Sequence, residues 1–277
     1  MTRLFGIAQI AVGAASLLTW VTATSQPRDA SDAWCDQSRP NRRGITVHCE
    51  VREFELASRD RVAVDGGGNG GIEVTGWDRD DILVRARVQV WSESNDPARI
   101  AESIEIITDE PRIRAEGPRS QNGVFGSRHE GWAVSFELQV PFESDLLLDA
   151  TNGGIAIADV DGELEFDTTN GGIQLERVAG DVRGRTTNGG IRVDLDADEW
   201  VGRGLDLQTT NGGITIDVPA GFRADLEATT VNGGLRTDFP VVVDGRIGRR
   251  RLEAELNGGG APVRLATVNG GVSVREK

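Results

Sequence analysis

The residues that could carry chemistry in this sequence are charged side chains at alternate positions of apolar segments. Asp167, Glu176, Arg185, Arg192 and Asp217 are of this kind, and each falls where a period-two pattern predicts the outward face of a strand. Two carboxylates on one face of a β scaffold could cleave a polysaccharide by acid and base catalysis. Their spacing does not separate such a pair from a solvated surface. A polysaccharide-binding or polysaccharide-cleaving enzyme is therefore kept as the alternative function.

An acidic run could bind a cation. Asp194, Asp196, Asp198 and Glu199 supply hard oxygen ligands of the type that Ca²⁺ takes. They would converge only if their loop folded back on itself. A solvated acidic turn is the simpler interpretation of the same residues.

Three tryptophans, Trp91, Trp132 and Trp200, could stack on sugar rings if they were exposed. Packing within a cap or a loop is the more common role of such side chains. The sequence contains no Gly-x-Ser-x-Gly, His-Glu-x-x-His or Walker motif. The glycine-rich run at residues 66–71 leads into a predicted strand rather than a helix, which disfavours phosphate binding. We therefore expect no catalytic residue, no cofactor, no metal and no enzymatic activity.

The chain has two cysteines, Cys35 and Cys49. In an exported protein this count predicts one disulfide, which would close a short polar loop and stabilise the fold by about 3 kcal/mol. A metal or redox pair is the alternative. It finds one further ligand nearby, His48, and lacks the rest of a coordination shell.

The first residues have the features of an export signal. Arg3 precedes an apolar run from Leu4 to about Val21, and small residues follow at residues 21–23. We expect a signal peptide over 1–23, with cleavage between Ala23 and about Ala30, and then a polar lead-in over 24–44. No second long apolar segment follows, so we expect no integral membrane segment after signal removal. The predicted location is periplasmic, secreted or on the cell surface.

The charge balance excludes some partners. The formal net charge is −14, from 30 basic and 44 acidic residues. Nucleic acids and anionic membrane surfaces need a basic footprint, so neither is expected as a partner. The excess negative charge would also keep a β protein with exposed strand edges soluble.

The elements that position all these residues come from an internal repeat. The pattern Thr-x-Asn-Gly-Gly-Ile-x-Leu recurs with small changes, and after one early copy at Asn69 the Asn residues are spaced 18, 18, 23, 21, 25 and 12 apart. Such self-similarity is the mark of a stacked repeat architecture. The Asn residues of this later series are Asn152, Asn170, Asn188, Asn211, Asn232, Asn257 and Asn269.

Each copy is interpreted as one coil of a parallel β-solenoid, with its Asn-Gly-Gly at a corner. Side-chain alternation then stacks columns of Ile, Leu and Val inside the coil, with a Thr column and an internal Asn ladder at the bend. The glycines are expected to provide positive φ at the corner. The predicted structural corner residues are Asn152, Asn170, Asn188, Asn211, Asn232 and Asn269. The short spacing before Asn269 marks Asn257 as an irregular copy near a terminal cap.

An antiparallel meander is the competing fold, since Asn-Gly between strands favours a hairpin. The return of one face pattern every 18 residues, with length variation confined to one place between copies, favours the solenoid. The predicted fold is all-β: a single-stranded parallel β-helix of right-handed sense over 45–277, with repeats densest over 145–277. A short helix near 96–103 interrupts it, with Asn95 or Asp96 as the cap and Pro97 in its first turn.

The sequence resembles a bacterial family of putative adhesins, a domain of unknown function. The segments that carry the resemblance are 71–78, 136–141 and the Asn-Gly-Gly-Ile repeats, within about residues 45–277. The resemblance implies an exported, single-stranded β-helix and supplies no catalytic residues. The expected function is that of an exported, non-enzymatic surface, binding or structural protein of the cell envelope. Its partners would be envelope polysaccharide or surface proteins.

Overall fold

A computed structural model describes residues 34–35, 44–93, 96–118, 130–238, 248 and 250–277. The described residues form twenty strands and one short helix. In chain order these are β1 (Thr46–Ala57), β2 (Arg61–Asp65), β3 (Ile72–Trp77), β4 (Asp81–Ser92), α1 (Pro97–Glu102), β5 (Glu105–Ile107), β6 (Arg112–Glu116), β7 (Gly131–Pro141), β8 (Asp145–Ala150), β9 (Ile155–Ala158), β10 (Asp161–Thr168), β11 (Ile173–Glu176), β12 (Ala179–Asn188), β13 (Ile191–Asp194), β14 (Gly204–Asn211), β15 (Ile214–Val218), β16 (Ala224–Asn232), β17 (Leu235–Thr237), β18 (Arg251–Leu256), β19 (Pro262–Asn269) and β20 (Val272–Glu276).

The strands form two mostly parallel ten-stranded sheets. Sheet A has the spatial order β1-β4-β7-β3-β9-β11-β13-β15-β20-β17, and sheet B has the order β18-β16-β19-β14-β12-β10-β8-β2-β6-β5. Apolar and polar residues alternate along most strands, and the apolar side chains of both sheets join one buried core. Phe136, Phe166 and Phe222 are among the largest side chains fully enclosed there. The all-β prediction is confirmed.

The repeated unit is a pair of strands, one from each sheet, joined at an Asn-Gly-Gly corner. β10 in sheet B leads through the corner at 170–172 to β11 in sheet A, and the next copy repeats this with β12 and β13. Thr168 aligns with Thr186 in sheet B, and Ile173 aligns with Ile191 in sheet A. Each copy therefore lies in register on the next in both sheets, as a parallel solenoid requires. The hand of the winding stays a prediction.

The coils do not stack in chain order. The pair β19/β20 lies between β14/β15 and β16/β17, although it follows both in sequence. At the other end, β2/β3 lies between β6/β7 and β8/β9. This exchange is possible because every copy presents the same hydrogen-bonding edge and the same inward residue types to its neighbours.

The exchange explains the irregular copy at Asn257. This residue lies in the turn that carries the chain from β18 back to β19, with φ of 47°. Its amide nitrogen donates to the carbonyls of Ala220 and Phe222, at 3.0 Å each. Asn257 therefore closes a turn instead of forming a corner.

Antiparallel strands and the helix complete the two ends. β4 pairs antiparallel with both β1 and β7, β5 with β6, and β18 with β16. Helix α1 is present as predicted, with the Asp96 carboxylate accepting from the backbone N–H of Ala98 at 3.0 Å. From β1, Arg52 donates to the carbonyls of Ala101 and Ile104 and so anchors the end of the helix. The predicted signal peptide and most of the polar lead-in lie outside the described residues.

The corner glycines differ from the expectation of positive φ. Among the glycines that have a positive φ, none belongs to the corners of the densely repeated copies. The first glycine is needed for a different reason. A Cβ at Gly171 would lie 2.0 Å from the carbonyl oxygen of Gly153 in the neighbouring coil, whereas a Cβ at Gly172 would lie 3.4 Å from that of Gly190. Close approach of backbones, not a left-handed conformation, selects glycine at the first position.

Gly171→Ala is expected to lower the free energy of unfolding by about 3 kcal/mol, because two coils must separate to admit the methyl group. Gly172→Ala, at the next position of the same corner, should change it by less than about 1 kcal/mol. Denaturant unfolding of the two variants measures the difference. Equal losses would contradict the assignment of the first glycine as the packing position.

Candidate binding groove

The corners hold two polar columns, one inside and one outside. The hydroxyl of Thr168 is buried and donates to the carbonyl of Gly153 at 2.8 Å, and Thr186 does the same to Gly171. The Asn side chains lie outside, where the Asn170 amide donates to the Asn152 carbonyl oxygen at 2.8 Å. In stack order the ladder runs Asn152, Asn170, Asn188, Asn211, Asn269 and Asn232, with donor–acceptor distances of 2.8–2.9 Å.

The prediction of an internal Asn ladder is therefore wrong in its placement. The ladder exists, but its amides are exposed, because the chain leaves the period-two alternation at the bend. The buried position before each corner belongs to Thr, whose single hydroxyl is satisfied by one carbonyl of the adjacent coil.

A long concavity runs beside these corners, on the outer face of sheet A. It encloses about 740 Å³ and crosses β7, β3, β9, β11, β13 and β15. Five strand spacings give it a length of about 24 Å along the stack. We call it the glycine groove, because the second glycines of the corners line it: Gly71, Gly154, Gly172, Gly190 and Gly213.

The first outward residue after each corner lines the glycine groove as well. These side chains are Glu73, Ala156, Gln174, Arg192 and Thr215. A shallower depression of about 220 Å³ continues from the groove over Ala156 and Ala158 of β9, between β3 and β11. The glycine groove is therefore a long channel with polar side chains along it, broadened where two alanines replace longer side chains.

Trp34 lies at the β7 end of the glycine groove. The predicted disulfide between Cys35 and Cys49 is present, and Cys49 belongs to β1. This bond fixes the segment containing Trp34 on the outer face of sheet A, beside Arg87 of β4. Sequence reasoning considered three other tryptophans as sugar platforms and missed this one. The available signal was its position directly before a bonded cysteine.

Arg87 is held by Trp34 from two directions. The guanidinium carbon lies 4.6 Å from the centroid of the indole ring, and Nη1 donates to the Trp34 carbonyl at 3.1 Å. Partial burial lowers the pKa of Arg87. The end of the groove thus combines an aromatic face with a partly desolvated cation.

Residues 138–275 match the family model described as Toastrack DUF4097. The matched range is just under half of the chain and contains the densely repeated copies. It supports the resemblance to an adhesin-like family of unknown function.

Several solved structures align with most of this chain at low sequence identity. A putative cell adhesion protein from Clostridium sporogenes is 10% identical, with a TM-score of 0.47 over 84% of this chain and 100% of that chain. Putative adhesins from Parabacteroides distasonis and Bacteroides fragilis are 11% and 9% identical, with TM-scores of 0.35 and 0.34. The former alignment covers 82% of this chain and 97% of that one, the latter 85% and 98%. No protein of curated function matches the sequence.

The charged residues considered for catalysis are divided between the two sheets. Asp167 and Arg185 lie in β10 and β12 of sheet B, while Glu176, Arg192 and Asp217 lie in sheet A. Only Arg192 of this set lines the glycine groove. Its guanidinium pairs with Asp217 at 2.9 Å, so the structure joins these two in an ion pair.

The acidic run after β13 is not gathered around a common centre. The Lys277 ammonium group contacts the carboxylates of Asp194 and Asp196, and Arg223 pairs with Glu199. Among the described residues, no cluster of three or more His, Cys, Asp or Glu side chains is arranged to hold a metal. The same part of the chain contains no helix with the length and apolar character to span a membrane.

The tryptophans considered as sugar platforms are engaged in packing. Trp200 is buried, and its indole N–H donates to the Gly180 carbonyl at 3.0 Å. Trp132 is half-buried and donates to Pro118 at 3.1 Å. Trp91 is half-buried in β4. Packing therefore accounts for Trp132 and Trp200.

Replacing both cysteines by serine is expected to lower the free energy of unfolding by about 3 kcal/mol, since the loop-closure constraint is lost. The indole ring of Trp34 should also separate from the guanidinium of Arg87, and this separation should change the intrinsic fluorescence. The double variant serves as its own control, because reductant should no longer change its stability. A wild-type protein that unfolds identically with and without reductant would contradict this role of the disulfide.

Asp167 is expected to destabilise the folded protein at neutral pH. Desolvation by burial and the neighbouring Asp149 raise the pKa of Asp167, against the lowering effect of Arg185. The folded protein then binds this proton more tightly than the unfolded chain, so the stability contribution is gained as pH falls and lost as pH rises through the raised pKa. Asp167→Asn should raise Tm near neutral pH by about 1–2 °C.

That gain should vanish in acid below the ordinary pKa of aspartate, where both states are protonated. Glu165→Gln, which like Asp167 is at an exposed position of β10, is the matched control for removing one negative charge. Thermal unfolding across pH measures both variants. A pH-independent gain for Asp167→Asn would contradict the electrostatic cause.

Proposed function

We propose that the protein is exported and that it binds an extended polysaccharide of the cell envelope along the glycine groove, without catalysis. The observation that carries the proposal is the groove itself, a channel of about 740 Å³ across six strands of one sheet. An elongated site of this kind fits a linear polymer better than a compact ligand. The disulfide and the acidic net charge agree with a location outside the cytoplasm and with a ligand other than nucleic acid.

The floor of the glycine groove favours sugars over an added peptide strand. Its backbone carbonyls already accept hydrogen bonds within the sheet, as Gly172 does from Ile155 and Gly190 from Ile173, at 3.0 Å each. A peptide that crosses these strands cannot extend their ladder, because β-augmentation needs a free sheet edge. Recognition must come from side chains, and hydroxyl, amide and charged groups suit sugar hydroxyls. Trp34 offers an aromatic face at one end.

The proposal explains why the second position of each corner in the groove is also glycine. Stacking alone leaves more space at this position than at the first glycine, with a Cβ 3.2–3.4 Å from its nearest neighbour at Gly154, Gly172 and Gly190. A side chain there would project into the channel. Bare glycines therefore keep the floor open along its length.

Catalysis is left out of the proposal because of the lining residues. Glu73 is the one carboxylate among the described residues that line the glycine groove. Hydrolysis of a glycosidic bond ordinarily uses two. Asp217, which lies nearby in β15, is held by Arg192 and Arg275.

The test is a screen of the oxidised protein against purified envelope polysaccharides, followed by calorimetry on those that are retained. Gly172→Leu should weaken binding by about ten-fold or more, because the side chain fills the channel. Gly234→Leu is the matched control. It occupies the same corner position in the coil β16/β17, outside the groove, where a Cβ meets nothing within 4 Å.

Retention of no polysaccharide, or equal binding by the two leucine variants, would reject the proposal. Release of shortened sugar chains would support the enzymatic alternative. Binding of extended peptides in place of polysaccharides would reassign the groove to surface proteins.

A further inference from the structure

Arg87 is an unusual charge for this surface. Nη1 is satisfied by the Trp34 carbonyl, but Nε is buried without an acceptor. Within the described residues it is the one buried side-chain nitrogen or oxygen in that state. Buried polar atoms nearly always have a partner, so an exception calls for a cause.

Neighbouring arginines of sheet A are paired with carboxylates. Arg85 contacts Glu137 at 2.7 Å and Glu53 at 3.2 Å. Arg275 contacts Asp217 at 2.8 Å. In the described part of the chain Arg87 has no carboxylate partner, although the protein carries an excess of fourteen negative charges. A partly buried cation with an unsatisfied donor is costly and is commonly retained for a function.

Arg87 and Trp34 both line the glycine groove, at its β7 end. The Nε edge of a guanidinium carries two parallel N–H donors, the fork that a carboxylate or phosphate accepts in bidentate fashion, and Nε of Arg87 has no acceptor. We propose that Arg87 binds an anionic group, a carboxylate or a phosphate, carried by the polymer in the glycine groove. This inference rests on the proposed function of the groove.

The ligand is a sparsely charged chain, not a polyanion. Glu73 lines the groove two strands beyond β4, and it repels further negative charge. Arg192, at the far end, is already neutralised by Asp217. A ligand with one acidic group at Arg87 and neutral sugars beyond it matches this distribution of charges along the groove.

Trp34 controls access to the site. The indole stacks on the guanidinium, and Nε has no exposed surface. The anion therefore reaches Nε only when the Trp34 side chain shifts, while the disulfide at Cys35 keeps the segment close. Binding at Arg87 should consequently change the fluorescence of Trp34.

The experiment uses the oxidised protein and one oligosaccharide, taken from a polysaccharide that binds, in three forms. These are the neutral chain, the chain oxidised to a carboxylate at one end, and the chain bearing a phosphate monoester at one end. Calorimetry should show at least one acidic form binding about ten-fold tighter than the neutral form. Comparison of the two acidic forms identifies the source of the anion, and added salt should reduce the preference.

Arg87→Met should abolish the preference, so that the acidic and neutral chains bind with equal affinity. Its thermal stability should equal or exceed that of the wild type, because a half-buried cation with an unsatisfied Nε is removed. Arg192→Gln, a charge removal elsewhere in the same groove, should keep the preference. A purely structural Arg87 would instead lose stability without altering the preference.

Equal binding of all three forms by the wild-type protein would overturn the inference about Arg87 and leave the proposed function standing. If none of the three binds, the proposed function fails, and the inference fails with it.

Discussion

The contact on which this structure depends is the approach of one corner backbone to the next. At the first glycine of each copy, a β-carbon would fall 1.8–2.0 Å from a carbonyl oxygen of the neighbouring coil. This proximity brings the buried Thr hydroxyl within 2.8 Å of the same row of carbonyls. Two sheets at fixed strand spacing can share one core only if their corners stack this closely. The corners of the repeat are therefore built in the same way, and each corner fixes the register of both sheets.

The same stacking of corners creates the glycine groove, the surface that we assign to binding. Because the corner backbones are stacked without side chains, the outer face of sheet A is indented along the second glycines from Gly71 to Gly213. The polar residues that follow stand above this floor and form one wall. Trp34 reaches the end of the indentation through a covalent link to β1, not through the repeat. Structure and proposed binding thus use adjacent residues of one motif.

Particular residues show what the sequence could predict. Alternation along segments such as Gly131–Pro141 predicts strands because one face is buried, and Asp96 with Pro97 predicts the helix by local hydrogen bonding. The coil order could not be predicted. Thr209 aligns with Thr267 where Thr230 would fit equally well, so local pattern cannot choose between them. The partnership of Trp34 with Arg87 spans 53 residues and depends on a disulfide, so no periodic signal reveals it.

The position of β19 and β20 in the stack differs from their position in the order of synthesis. They leave the ribosome after every other described strand, yet they end up as an interior layer of the stack, with a coil on each side. The neighbouring layer β16/β17 is synthesised earlier, but until they arrive its one strand partner among the described residues is the antiparallel β18. Assembly at this end therefore cannot proceed layer by layer in the direction of synthesis. The stack is completed when β19 and β20 insert between β14/β15 and β16/β17. The coil β16/β17 is therefore held in place by strands that are synthesised after it.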